Sequence, residues 1–196
     1  MKKQLNNLLM IAGTGRNVGK TMLACRLIAQ FSHQNVIGIK VSPHFHQQAE
    51  GQKILVQKSD FVIIEETATG TSKDSSRMLQ AGASKVFYIQ THDRIIEDPF
   101  RKILSMLPEN QPVICESGTL LEYARPGLFF LVYKKGETQT KPGLNSIDYD
   151  PDQKIAFDGE VFDFDFDKIG FENNAWVLKN KRDLPPIPTP APRIFD

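Results

Sequence analysis

A chain of 196 residues with 24 basic and 23 acidic side chains has a formal charge of +1, and the two signs are well mixed. No basic face argues for nucleic acid, and no acidic tail is present to attract a charged partner. The length buries roughly 70% of the unfolded surface in one domain, while two cysteines make neither a disulfide framework nor a zinc site and suit a reducing compartment. No stretch can span a membrane, and the apolar run behind Lys2 and Lys3 is too short for a leader, so the expected location is cytoplasmic.

Residues 8–12 are apolar and short enough for a buried strand, and they give way to Gly13-Thr14-Gly15-Arg16-Asn17-Val18-Gly19-Lys20-Thr21. Met22, Leu23, Leu27, Ile28 and Phe31 then recur at helical spacing, so a helix begins where the glycine-rich stretch ends. Free first-turn amides, the positive end of the helix dipole and successive loop amides together favour an anion. A phosphate fits there, with residues 13–22 as its cradle. Lys20 would meet the terminal phosphates, and the Thr21 hydroxyl would ligate Mg²⁺. Arg16 either reaches a phosphate or extends into water. The competing reading is a glycine-rich turn with a solvated lysine.

Residues 35–41 form a second buried strand that delivers Lys40, Ser42, His44 and His46 to its C-terminal end, the edge where parallel sheets bind ligands. Lys40 is a phosphate or substrate contact, or a solvated lysine. His44 and His46 alternate, but two histidines without a third ligand make a weak metal site. Residues 53–57 and 61–65 flank Lys58-Ser59-Asp60 and read as a β-hairpin outside the parallel sheet, which ranks Glu65 and Glu66 low as site residues. Residues 73–83 predict a helix capped by Asp74 or Ser75 and stopped at Gly82. A strand at 85–90 follows, then a helical stripe over 92–107 that Pro99 bends or restarts.

Residues 112–116 form a buried strand that ends in Glu116, where a carboxylate would face Mg²⁺ directly or through water. Its bland alternative is a carboxylate capping the next turn. After a strand at 128–133, Lys135 and Glu137 stand where a guanine-reading motif would, without its leading asparagine; a solvated turn is the other reading. Strands alternating with helices predict a three-layer α/β fold with a mainly parallel sheet over residues 1–142. Residues 143–183 turn aromatic and acidic, with turn signals at Asp158-Gly159 and Asn173-Asn174, and predict a small antiparallel β extension packed on the domain. Residues 184–196 are proline-rich and predict an extended tail or linker.

The loop carries one residue more than G-x-x-x-x-G-K-[ST], and in this it resembles dethiobiotin synthetase and its relatives among the P-loop ATPases and GTPases, with Val18-Gly19-Lys20-Thr21 matching V-G-K-T. Three stretches together resemble the molybdopterin-guanine dinucleotide biosynthesis protein B family: the loop, Gly38-Ile39-Lys40 followed by His44 and His46, and Lys73-Asp74-Ser75 leading to Ala81-Gly82-Ala83. The likeness spans residues 8–135. Where that family has V-E-G-F-K this chain has Cys115-Glu116-Ser117-Gly118-Thr119, which keeps only the acid.

The resemblance implies a Mg²⁺-dependent P-loop NTPase fold and slow GTP hydrolysis, in an accessory role in guanine-dinucleotide molybdenum cofactor assembly. A molybdenum cofactor biosynthesis protein is then an expected partner, and so is a second copy of the chain. It also makes Asp74, Ser75 and Arg77 candidate substrate or dimer contacts. Two alternatives stay open: an ATP-dependent carboxylate-activating ligase in which Lys40 handles the substrate, and a module that holds a nucleotide without turnover.

Overall fold

The computed structural model describes residues 2–45, 52–136 and 150–179. The leading elements are β1 (Lys3–Gly13), α1 (Lys20–Phe31) and β2 (Ile37–Ser42), followed by the strands β3 (Gln52–Gln57) and β4 (Phe61–Glu66). Then come α2 (Asp74–Gln80), β5 (Lys85–Thr91), α3 (Glu97–Leu104), β6 (Val113–Glu116) and β7 (Ala124–Lys134). The last three strands are β8 (Gln153–Phe157), β9 (Ile169–Glu172) and β10 (Ala175–Leu178).

Eight strands form one sheet in the order β3-β4-β5-β2-β6-β1-β7-β8. From β5 to β8 every neighbouring pair is parallel; β3, β4 and β5 pair antiparallel at one edge. β9 and β10 make a separate antiparallel hairpin. The protein is therefore α/β, with a large, mostly parallel mixed sheet and a small two-stranded one. No helix among the described residues is long and apolar enough to cross a membrane.

β1 and β6 read as continuous apolar runs because both of their faces are covered. On β1, Leu9 and Ile11 pack with Leu23, Leu27 and Phe31 of α1, while Leu8, Met10 and Ala12 pack on the opposite face with Phe100 and Ile103 of α3. The period of two along a strand sorts these residues between the two cores. In α1 the buried stripe is Leu23, Ala24, Leu27, Ile28 and Phe31. Met22 is 39% exposed and lies off it, a correction to the expected stripe: one residue before Leu23, it is rotated about 100° away on the helix surface.

Four further expectations are revised. The β3–β4 hairpin exists but joins the main sheet through β4 and β5, because its apolar residues Phe61 and Ile63 have a core to enter there. α2 has Lys73 as its N-cap residue with no side-chain cap, since Asp74 and Ser75 are turned to partners elsewhere. The stripe at 92–107 divides into a 3₁₀ turn at Asp93–Ile95 and α3, with Pro99 inside the first turn of α3, where a missing amide hydrogen costs no helical bond. β8 is a parallel edge strand of the main sheet, so the antiparallel part of the C-terminal region is confined to the β9–β10 hairpin and a bridge between Phe157 and Phe162. The Asn173-Asn174 turn has φ of 51° and 61°, both left-handed, as a tight hairpin requires. The proline-rich stretch at 184–196 lies outside the described residues.

The hairpin is tied into the core by Trp176, which is 2% exposed and meets Phe31 edge-on at 5.0 Å. Its indole nitrogen donates to the carbonyls of Asn7, at 2.9 Å, and Val113, at 3.2 Å. Asn7 lies in an irregularity of β1, where the register to β7 shifts between Leu5 and Leu9, so the indole serves a carbonyl beside a break in the ladder. Trp176→Phe keeps an aromatic ring and removes that donor. It is expected to cost about 1–3 kcal/mol and to lower the melting temperature by roughly 2–10 °C; an unchanged melting curve would mean that solvent takes over both carbonyls.

Candidate functional site

β1 ends at Gly13, and residues 14–19 carry the chain to α1. A Cβ on Gly13 would fall 2.7 Å from a Val18 methyl and 2.8 Å from the Lys20 stem, so glycine is what lets the loop fold back over the strand end. Val18 is fully buried and anchors the loop in the core, while Asn17 (φ 56°) and Gly19 (φ 95°) take left-handed turns that deliver the chain into α1. The Thr14 amide donates to the Val132 carbonyl at 3.0 Å, which ties the loop to β7. Lys20 Nζ reaches back across the loop and donates to the Gly15 carbonyl at 2.8 Å. Gly19 is the N-cap residue of α1 and has no side chain with which to cap it.

The sheet register brings the strand ends together beside that loop. Glu116 stands opposite Ile11 on one side and Lys40 on the other. Glu116 is 3% exposed; Oε2 accepts from the Thr21 hydroxyl at 2.7 Å, and Oε1 accepts from Lys40 Nζ at 2.6 Å. Lys40 also pairs with Asp74 Oδ2 at 2.7 Å, at the start of α2, so one ammonium holds two carboxylates. The Thr21 hydroxyl, whose proton goes to Glu116, also lies close enough to Asp74 to help hold its carboxyl ionised, and Arg77 flanks Asp74 at 3.8 Å.

The charges support one another. Burial pulls the Lys40 ammonium down, but Glu116 first and then Asp74 outweigh it and leave the pKa above the usual lysine value. Burial pushes the Asp74 carboxyl up, yet Lys40, the Thr21 hydroxyl and Arg77 hold it below the ordinary aspartate value. Cys25, one turn along α1 from Thr21, has its thiol pushed up by burial, partly offset by Arg77, and stays neutral.

Of the residues singled out in the sequence, the structure gathers Lys20, Thr21, Lys40, Asp74, Arg77 and Glu116 on one sheet edge around the 13–19 loop. Thr14 is buried, and its hydroxyl oxygen has no hydrogen-bond partner among the described residues. Arg16 and Asn17 are exposed.

Ser75 is buried and turned away from the cluster. Its hydroxyl donates at 2.7 Å to Glu66 Oε2, and Glu66 Oε1 also accepts from the Ala68 amide at 3.1 Å. This pairing anchors the loop before α2. His44 is exposed, and its amide donates to the Ser42 hydroxyl; His46 lies outside the described residues. Lys135 is exposed in the turn after β7, where its amide donates to the Phe157 carbonyl at 2.8 Å, and Glu137 lies outside the described residues.

Sequence reasoning missed two features. Asp74, read as a helix cap or surface salt bridge and, from the resemblance, as a candidate substrate or dimer contact, is the second carboxylate on Lys40. The sequence also held no sign that Phe157 and Phe162 close around Gly19. Neither partnership has a local signature, since the members are 34 or more residues apart in the chain. No group of three or more histidine, cysteine, aspartate or glutamate side chains is gathered for a metal among the described residues.

Compared with protein-family models, curated proteins and solved structures, the chain has no match. The site is an α/β sheet edge where a glycine-rich loop and the start of α1 lie beside a lysine, a threonine and two carboxylates.

Proposed function

We propose that the chain binds a nucleoside triphosphate together with Mg²⁺ at the 13–21 loop, preferring GTP, and hydrolyses it slowly. Its role would be that of an accessory factor in guanine-dinucleotide molybdenum cofactor assembly, as the family resemblance implies. The observation that carries the nucleotide reading is the convergence of Thr21, Asp74 and Glu116 beside the loop that Lys20 spans. Hydroxyl and carboxylate oxygens are the hard donors that Mg²⁺ takes, so the residues present fit the ion. Thr21, Glu116 and Asp74 would hold it, and when bound it supplies charge neutralisation at the phosphate oxygens.

The protein's own groups do the rest. Loop amides and the α1 N-terminus would bind phosphate oxygens, the orphaned Thr14 hydroxyl is next to them, and Lys20, drawn over the loop to the Gly15 carbonyl, adds a cation. Glu116 and Asp74 are both engaged by Lys40, and no base placed to orient water stands out among the described residues, so turnover is expected to be slow. Guanine preference rests on Lys135 and Glu137. Titration with Mg²⁺-GTP and Mg²⁺-ATP tests the reading: GTP is expected to bind more tightly, with phosphate release far slower than binding. Equal affinities would remove the guanine preference, and no binding of either would overturn the proposal.

One observation favours a second reading. Lys40 presents its amino group at the strand end inside the cluster, where a ligase resembling dethiobiotin synthetase would use it on substrate. ADP formation from ATP that depends on an added diamino acid would support that enzyme.

A further inference from the structure

We infer that the Phe157 and Phe162 rings are positioning residues for the 13–19 loop: they hold the backbone of Gly19, and through it the amides that would meet phosphate. This inference rests on the reading of that loop as a phosphate cradle. Gly19 has φ 95°, and a Cβ built on it would lie 2.8 Å from Phe157 Cδ1 and 3.1 Å from Phe162 Cε1. The two rings thus fill the space a side chain at position 19 would take.

The pair is itself firmly held. Phe157 is 5% exposed at the end of β8, and its carbonyl accepts from the Lys135 amide. The chain then turns back so that Phe162 bridges Phe157 antiparallel, with the Asp163 amide donating to the Ala156 carbonyl at 2.9 Å. The Asp158 carboxylate pins that turn by accepting from the amides of Glu160, at 2.9 Å, and Val161, at 2.8 Å. The rings stack at 4.6 Å with their planes 28° apart. Farther on, the same segment is tied to α1: the Arg26 guanidinium lies 4.0 Å from the centre of the Phe166 ring, and the Gln30 side-chain Nε2 donates to the Phe166 carbonyl at 3.0 Å. The strap therefore runs beside α1 and ends with its ring pair against the residue that starts the helix.

Glycine crosses between backbone conformations at little cost, so a loop that pivots on Gly19 needs something outside itself to keep its amides convergent. The ring pair does this from the far C-terminal part of the chain. Removing a ring lowers the fraction of molecules with the competent loop, and apparent affinity falls by that fraction.

The test compares Phe162→Leu with Phe164→Leu. Phe164 belongs to the same strap but packs on Phe130 and Phe166, and it is not among the atoms nearest Gly19. Calorimetry with inorganic tripolyphosphate and with Mg²⁺-GTP is paired with hydrogen exchange of the amides at 15–20. Phe162→Leu is expected to weaken both probes at least tenfold and to speed exchange at 15–20 at least tenfold, with β1 unchanged. Phe164→Leu is expected to leave both affinities within twofold at a comparable loss of melting temperature. Equal losses in the two variants, or native affinity in Phe162→Leu, would overturn the inference. Should Phe162→Leu fail to fold, the milder Phe162→Met is read in the same way. If the native protein binds neither probe, the cradle reading falls, and the exchange comparison still decides whether the rings set the loop.

Discussion

Lys20→Ala is expected to weaken Mg²⁺-triphosphate affinity at least tenfold while leaving the melting temperature nearly unchanged. The amino group bonds to the Gly15 carbonyl across the loop, a contact at a half-exposed position whose loss costs on the order of 1 kcal/mol or less in stability. With triphosphate bound, the same ammonium would make a charge-assisted contact worth about 1.5–3 kcal/mol, and alanine supplies nothing in its place. The effect should track charge: it should be largest for triphosphate, smaller for diphosphate and nearly absent for the nucleoside. Isothermal titration of the three ligands checks it. Unchanged triphosphate affinity would reject the phosphate assignment of the loop and favour the plain glycine-rich turn.

Glu116→Gln is expected to abolish most of the Mg²⁺ dependence of nucleotide binding and to destabilise the fold. Glutamine matches glutamate in volume and can still accept from Thr21, but it removes the anion that, with Asp74, pairs with Lys40. Metal-free nucleotide affinity should stay near the native value, and affinity in Mg²⁺ should drop towards it. Lys40 keeps Asp74 as a partner, so the stability cost should be that of one hydrogen bond to a charged group, about 1.5–3 kcal/mol.

The pH range of that cost follows from the two shifted groups. Lys40 titrates above its unfolded value, so its stabilisation is fully present below the ordinary lysine pKa and fades as pH rises through the folded value. Asp74 titrates below its unfolded value, so its share is present above the ordinary carboxylate pKa and fades as pH falls through the folded one. The destabilisation by Glu116→Gln should thus be fully expressed at neutral pH. Native Mg²⁺ dependence in the variant would make Glu116 a structural carboxylate alone.

The parts of this molecule that were legible in the sequence are those whose physics is local. The apolar runs that became β1, β2 and β6, the turn residues at Asn173-Asn174 and the strand–glycine loop–helix succession at 8–31 depend on near neighbours. Period, left-handed turn conformations and helix starts are written over a few residues. Lys20, Thr21 and Glu116 stood out for the same reason, since each follows directly from its own element.

What only the tertiary structure decided is where those elements meet. Strand order puts β6 between β1 and β2, which sets Glu116 beside Lys40, and the packing of α1 on the sheet brings Thr21 to the same carboxylate. The start of α2 brings Asp74 to the same ammonium and turns Ser75 to Glu66. β8 enters the main sheet as a parallel edge strand, and its last residue carries an aromatic ring to Gly19 from the other end of the chain. An ion pair or a ring contact is governed by distance in space, and residues 40, 74 and 116 become neighbours only when burial of the two apolar faces of the sheet fixes the order of its strands.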